Sequence, residues 1–229
     1  MNTPARQQKT AVIVGATGNL GRAVRATLEA ADWYIDPVWT SENRPDASRA
    51  ESYANLPKRI DFAIYLAGVN VIEDTQNLAE SEWDRVFATN LKGAFLFAKA
   101  AFPGMCAAGK SSFVAISSIN TLHPYPRRAA YASSKAGLEG LVRELAVEWG
   151  SHGIATHAIR LGHLAGLMKT TPANPALLSA VKERTPSHSL IAPEEVARYL
   201  VWVAEGGAQS ISGSVIDFDP AYTINRWPL

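Results

Sequence analysis

A chain of 229 residues, 47% of them hydrophobic, is long enough to bury one sizeable core, and 22 basic against 21 acidic side chains leave a net charge of +1. That balance, with no sustained Lys/Arg run, gives no electrostatic case for nucleic acid or an anionic membrane as partner. Cys106 stands alone and closes no internal disulfide, and the longest apolar stretch, Ala94 to Met105, is interrupted by Lys99 and too short to span a bilayer. Residues 1–9 are polar without a signal-peptide core and read as a loose leader, which makes 1–229 a single cytoplasmic domain.

Thr10-Ala-Val-Ile-Val14 reads as a buried strand that runs into Gly15-Ala-Thr-Gly18-Asn-Leu-Gly21 and then a helix from Arg22 to Ala30. Strand, glycine turn and helix N-terminus together make a phosphate site, because free N–H groups and the helix dipole face the anion and glycines allow close approach. The candidate dinucleotide contacts here are Gly15, Thr17, Asn19, Leu20 and Gly21. A second strand is expected from Tyr34 to Trp39, at an edge or bulged because of Pro37. It ends in Thr40 and Ser41 with Arg44 nearby, small hydroxyls and an arginine that suit a ribose 2′-phosphate, so NADP(H) is favoured over NAD(H).

Only about 22 residues separate Thr40 from the next strand, Phe62 to Leu66, too few for a full crossover unit, so one strand-helix unit is expected to be shortened or missing. Ala67 and Gly68 then stand at a carboxyl edge of the sheet. A helix beginning at Ser81, with Asp84 as an approximate capping box, carries an apolar stripe of Trp83, Val86, Phe87, Leu91, Ala94, Phe95 and Ala98 with Asn90 in its middle. A buried amide there needs partners, whether structural or in a polar site.

Phe113 to Ser118 is a further strand ending in two hydroxyls. The loop from Ile119 to Arg128 brings Asn120, His123 and Tyr125 to the same edge. From Ala129 to Trp149 the period is helical, with Leu138, Leu141, Val142, Leu145, Ala146 and Trp149 on one stripe and Ala132, Ala136 and Gly140 as a small-residue ridge. Tyr131 and Lys135 share a face four residues apart, and an ammonium beside a phenol is expected to lower the tyrosine pKa toward the working range. Ile154 to Ile159 is a strand followed by Leu161-Gly162-His163-Leu164. Residues 165–190 read as an irregular, proline-rich substrate lid, Pro193 opens a helix at its N1 position, and Ser212 to Phe218 closes the sheet before a tail containing Trp227. No His/Cys/carboxylate cluster has metal-ligand spacing.

Strands alternating with helices argue for a Rossmann-type, doubly wound parallel sheet in three αβα layers. Asn90, Ser118, Tyr131 and Lys135, separated by 28, 13 and 4 residues, resemble the catalytic tetrad of the short-chain dehydrogenase/reductase family, and the resemblance runs from about residue 10 to 218. It implies an NAD(P)-dependent oxidoreductase interconverting a carbonyl compound and an alcohol. Tyr131 would be general acid or base, Lys135 would tune it and hold the nicotinamide ribose, Ser118 would bind the reacting oxygen, and Asn90 would fix a relay water. Ala67, Gly68, Gly162 and Leu164 join the cofactor contacts on the same ground, and a homodimer or homotetramer is implied.

The sequence departs from the family pattern in several places. Asn19 replaces the middle glycine, Leu66-Ala67-Gly68 stands for Asn-Ala-Gly, Leu161-Gly162 for Pro-Gly, Gly166 for a hydroxyl, and Asp217-Phe218-Asp219 for Asp-Gly-Gly. The changes touch the cofactor's ends and leave the tetrad whole. Asn120, His123, Tyr125, Leu164 and Met168 are the candidate substrate pocket, mostly apolar with a few polar groups. A non-catalytic, nucleotide-binding regulatory or scaffold protein of the same fold is the alternative reading.

Overall fold

A computed structural model describes residues 8–40, 45–166 and 175–226. The β-branched runs become six parallel strands in one open sheet: β1 (Thr10–Val14), β2 (Tyr34–Ile35), β3 (Phe62–Tyr65), β4 (Ser111–Ser118), β5 (Ile154–Leu161) and β6 (Val215–Phe218), in the order β2-β1-β3-β4-β5-β6. The helices are α1 (Asn19–Ala30), α2 (Glu80–Phe87), α3 (Gly93–Ala108), α4 (Ala129–Trp149), α5 (Pro175–Arg184) and α6 (Pro193–Ala204).

Alternate side chains of each central strand leave opposite faces of the sheet, so both faces must be covered. Ala11 and Ile13 of β1, Phe62 and Ile64 of β3 and Val114 of β4 meet α1 and α6 on one face. Val12 and Val14, Ala63 and Tyr65, Phe113 and Ala115 meet α3 and α4 on the other. The chain thus forms the expected three layers.

Between the second and third strands the described residues hold only two short 3-10 turns, Pro37–Trp39 and Ala50–Tyr53, and β3 pairs directly with β1. A strand-helix unit is absent there. Trp39 and Tyr53 stack at 5.2 Å and fill the space against Phe97. Because β2 lies on one side of β1 and β3 on the other, the strand order reverses at β1, and the crevice outside the carboxyl ends of β1 and β3 is where an open sheet of this kind takes a ligand.

Several expectations need correction. The second strand stops at Ile35, because Pro37 lacks an N–H and the Asp36 carboxylate accepts from Val38 N at 3.0 Å, which starts a 3-10 turn instead. The helix expected at Ser81 starts at Glu80 without a side-chain cap. Its stripe does not continue in phase: residues Ala88–Lys92 form a π turn, which inserts an extra residue and rotates α3 relative to α2. Trp83 and Phe95 are therefore 37% and 46% exposed, while Phe97 takes the core position.

Residues 165–190 are not irregular throughout. Pro175 opens α5, whose Val181 packs with Ile119 and Tyr222. Gln8 and Lys9 are not loose either, since Gln8 Nε2 donates to Asp32 and Lys9 Nζ lies 5.0 Å over the Trp33 ring. The final strand begins at Val215 rather than Ser212. Ser41, Arg44, Met168, Trp227 and residues 1–7 lie outside the described residues.

Candidate active site

At the end of β1 the backbone turns through Gly15, whose φ of +97° suits glycine alone, and a Cβ there would stand 2.8 Å from Ala67 N. A Cβ on Gly21 would stand 2.2 Å from Gly15 O, so the third glycine lets α1 sit directly on the turn. Gly18 is the N-cap of α1 and brings no side-chain acceptor, and the first turn holds no acid. The helix N–H groups are thus left for an incoming anion. Asn19 Nδ2 donates to Ala165 O at 2.8 Å, which clasps the turn to the segment after β5. Thr17 O accepts from Arg22, and Leu20 is buried in the core under α1.

Across the crevice, Tyr131 and Lys135 occupy the first two turns of α4. Lys135 is only 4% exposed, and its Nζ donates to Ile116 O at 2.7 Å. An ammonium has three N–H groups. The described residues account for one, which leaves a buried cation with donors in hand. Burial pushes its pKa down to about 8. The Nζ lies over the Tyr131 ring, 5.9 Å from its centroid. The expected acidic phenol is overturned in this state: burial raises Tyr131 above its ordinary value near 10, with the Ser118 hydrogen bond and the Arg128 charge lowering it only in part.

Ser118 Oγ accepts from Asn120 N at 3.2 Å and from Asn120 Nδ2 at 3.0 Å. With its oxygen so loaded, the hydroxyl is left to donate. Asn90 is fully buried in the π turn; its Oδ1 accepts from Val69 N at 2.8 Å, and its Nδ2 donates to Val69 O at 2.9 Å and Ser134 Oγ at 3.0 Å. It pins the turn after β3 to α4. A Cβ on Gly68 would stand 3.4 Å from Lys135 Nζ and 3.5 Å from Asn90 Oδ1, so that glycine keeps the floor between them open. All four tetrad positions are therefore brought to one edge, at the carboxyl ends of β3 and β4.

The family description for enoyl-(acyl carrier protein) reductase matches residues 40–223. The chain belongs to the short-chain dehydrogenase/reductase family. A tropinone reductase homologue of Arabidopsis thaliana is 28% identical over 245 residues, covering 95% of this chain and 93% of that protein. An uncharacterized oxidoreductase of Thermotoga maritima is 34% identical over 170 residues, covering 72% and 68%. A solved protein of Agrobacterium tumefaciens, whose proposed activity is gluconate dehydrogenase, superposes with a TM-score of 0.86 at 25% identity over 94% of this chain and 96% of that one. The family consists of oxidoreductases that work with nicotinamide dinucleotides, and the glycine turn and the free donors of Lys135 fit such a group.

In this short-chain dehydrogenase/reductase the other expected contacts fall in different settings. Leu164 packs in the core, and its neighbours His163 O and Ala165 N bond to Ile191, which turns Leu164's own amide the other way. Gly162 is crossed by the tail: a Cβ there would stand 3.0 Å from Asp219 Cα. The Thr40 hydroxyl donates to Pro37 O. Asn120 orients Ser118 and also accepts from Tyr125 N at 3.3 Å, so it serves the site from behind rather than lining a pocket.

Sequence reasoning missed Glu139, the next residue on the Tyr131–Lys135 face. Its buried carboxylate accepts from Ser117 Oγ at 2.8 Å, Thr121 Oγ1 at 2.9 Å, and Arg160 Nε and Nη2 at 2.8 and 2.7 Å. Burial would raise its pKa, but the Arg160, Ser117 and Thr121 hydrogen bonds outweigh it and hold the group ionised below its ordinary value. One charge thereby ties α4 to both flanks of Ser118. An acid recurring at i+8 from Tyr131, beside an apolar stripe, was the available signal. His163 and Tyr222 were missed too: Tyr125 Oη lies 2.8 Å from His163 Nε2 and 2.6 Å from Tyr222 Oη, and no spacing rule joins residues 125, 163 and 222.

Proposed function

We propose that this chain interconverts a ketone or aldehyde and its alcohol, with Tyr131 passing the proton. The observation that carries the reading is the buried Lys135 ammonium, bonded to a single carbonyl and open toward Gly68 beside the Tyr131 phenol. The nicotinamide cofactor supplies or accepts the hydride. Gly15, Thr17, Asn19, Leu20 and Gly21 would hold its pyrophosphate through the turn and helix N-terminus, Tyr131 and Lys135 its nicotinamide ribose, and Ala67, Gly68, Gly162 and Leu164 its flanks.

Charge that develops on the reacting oxygen meets two hydroxyl donors. Ser118, oriented by Asn120, stabilises it, and Tyr131, protonated at neutral pH, gives it the proton. In the reverse direction Tyr131 takes the proton back. Asn90 keeps the turn at Gly68 in register with Lys135 and is the group to fix a relay water behind it. The names of two relatives, a tropinone reductase homologue and a proposed gluconate dehydrogenase, support chemistry at a carbonyl or CH–OH carbon.

We favour NADP(H) over NAD(H). Thr40, beyond the end of β2, is a small hydroxyl of the kind that suits a ribose 2′-phosphate, and Asp36, the acid at the end of β2, is buried with its Oδ1 accepting from Val38 N. The chain is read as one catalytic domain that self-associates, since nothing described lies within 4 Å of a Cβ on Gly140 and the ridge of α4 is left open. The test is loss of reduced-nicotinamide absorbance with a panel of carbonyl compounds. Turnover with a lower KM for NADPH than NADH is expected; NADPH binding without oxidation by any compound contradicts the enzyme reading.

A further inference from the structure

A serine hydroxyl has two lone pairs and one proton, and at Ser118 both lone pairs are taken, by Asn120 N at 3.2 Å and Asn120 Nδ2 at 3.0 Å. The proton is left for whatever stands in front of it. Asn120 does this only with its side-chain amide the right way round, and Tyr125 decides which way that is. A backbone N–H donates and cannot accept, so the atom 3.3 Å from Tyr125 N is the amide oxygen, which leaves Nδ2 to face Ser118. Pro124 and Pro126 have no N–H, so Tyr125 supplies the one backbone donor that residues 124–126 can offer.

Tyr125 is in turn held by its phenol, whose Oη lies 2.8 Å from His163 Nε2 and 2.6 Å from Tyr222 Oη. The sheet register brings these partners together. Ser118 at the end of β4 pairs with Leu161 of β5, and Leu161 with Phe218 of β6, so His163 and Tyr222 leave the same carboxyl edge just beyond their strands. His163 meets Tyr222 edge to face at 4.7 Å, and His123 meets Tyr125 and Tyr222 in the same way at 5.9 and 5.8 Å. Tyr222 is 5% exposed, and its backbone is fixed at both ends: its N donates to Asp219 O at 2.9 Å and its O accepts from Arg184 Nε at 3.4 Å.

We propose that Tyr222 is a positioning residue for the reaction at Tyr131: its hydroxyl holds the Tyr125 phenol, Tyr125 N fixes the Asn120 amide, and Asn120 aims the Ser118 proton at the reacting oxygen. A phenol has a single proton, so Tyr125 donates to one of its two partners and accepts from the other. With His163 Nε2 as acceptor, Tyr222 donates to Tyr125; with Nε2 protonated, Tyr222 accepts from it. In both arrangements the Tyr222 hydroxyl is engaged, and ring packing alone does not replace it.

This inference rests on the oxidoreductase reading above, and its test separates the two. Tyr222→Phe keeps the ring and removes only the hydroxyl. It is expected to slow single-turnover NADPH oxidation about fivefold, the worth of one hydrogen bond, with NADPH affinity nearly unchanged. Tyr125→Phe, which breaks the same link from the other side, should behave alike. In a Ser118→Ala background, where no hydroxyl remains to be aimed, Tyr222→Phe should cost nothing further, whereas a general loosening of the fold would cost as much in both backgrounds. An equal loss in the two backgrounds, or no loss in either single variant, overturns the proposal. The side-chain amide of Asn120 gives a readout without substrate: its NMR signals, identified by their disappearance in Asn120→Asp, should shift in Tyr222→Phe, and signals that stay in place overturn the coupling. Shifted signals in a protein that turns over no carbonyl compound would sink the enzyme reading and keep the link from Tyr222 to Asn120.

Discussion

Lys135 shows how one residue's surroundings decide its chemistry. Buried on α4 against the end of β4, it is an ammonium below pH of about 8 and a neutral amine above. Its expected work, holding ribose hydroxyls and favouring the Tyr131 phenolate when the substrate is an alcohol, needs the charged form. Dinucleotide affinity of the free protein should therefore fall as pH rises through about 8, measured by fluorescence titration across pH 6–10, and Lys135→Met should bind weakly and show no such step. An affinity flat across that range would place the ammonium's pKa elsewhere. Tyr131, raised by burial, stays protonated at neutral pH, which suits reduction; oxidation should gain rate with rising pH until the lysine is lost. The tyrosine-lysine spacing was legible in the sequence, but the direction of the phenol's shift was not. Spacing places two groups on one face without saying how deeply both are buried or that the amine turns to a backbone carbonyl.

Elements meet at Glu139, where α4, the end of β4, the 3-10 turn after it and Arg160 of β5 converge. Removing one member of a buried ion pair leaves the other charge uncompensated, at a cost of roughly 3–5 kcal/mol. Here Arg160 keeps Asp217 at 3.1 Å, so Glu139→Ala is expected near the lower end, about 3 kcal/mol by urea unfolding. Because Ser117 and Thr121 flank Ser118, the variant should also lower kcat more than it raises KM, with Glu139→Gln recovering part of the rate. Unchanged stability would show that the cluster holds nothing in place. Element type and order were mostly readable from period and punctuation. The π turn was not, since residues Ala88–Lys92 hold no proline or glycine and Gly93 only follows them, and α5 was hidden by Pro172, Pro175 and Pro186, of which Pro175 starts a helix rather than breaking one.

The molecule as a whole buries charge-sensitive groups on both sides of its sheet. His157 in β5 is fully buried, neither ring nitrogen makes a well-formed hydrogen bond, and burial pushes its pKa to about 4 from 6.5. The unfolded chain binds the proton first, so stability should fall as pH drops from 6.5 toward 4. His163, also near 4, adds to the loss. Thermal melts across that window should show a steeper decline for the wild type than for His157→Leu; parallel declines would place the acid sensitivity elsewhere. The missing strand-helix unit was visible in the short spacing between the second and third strands, whereas its replacement by Trp39 stacked on Tyr53 depends on tertiary packing that no local pattern announces. The fold and the tetrad converge on one claim, that a protonated tyrosine next to a buried ammonium moves the proton in a carbonyl reduction. The most direct measurement is single-turnover NADPH oxidation by Tyr131→Phe beside its NADPH affinity: turnover should vanish with affinity nearly unchanged, and a variant that retained most of the wild-type rate would contradict the account.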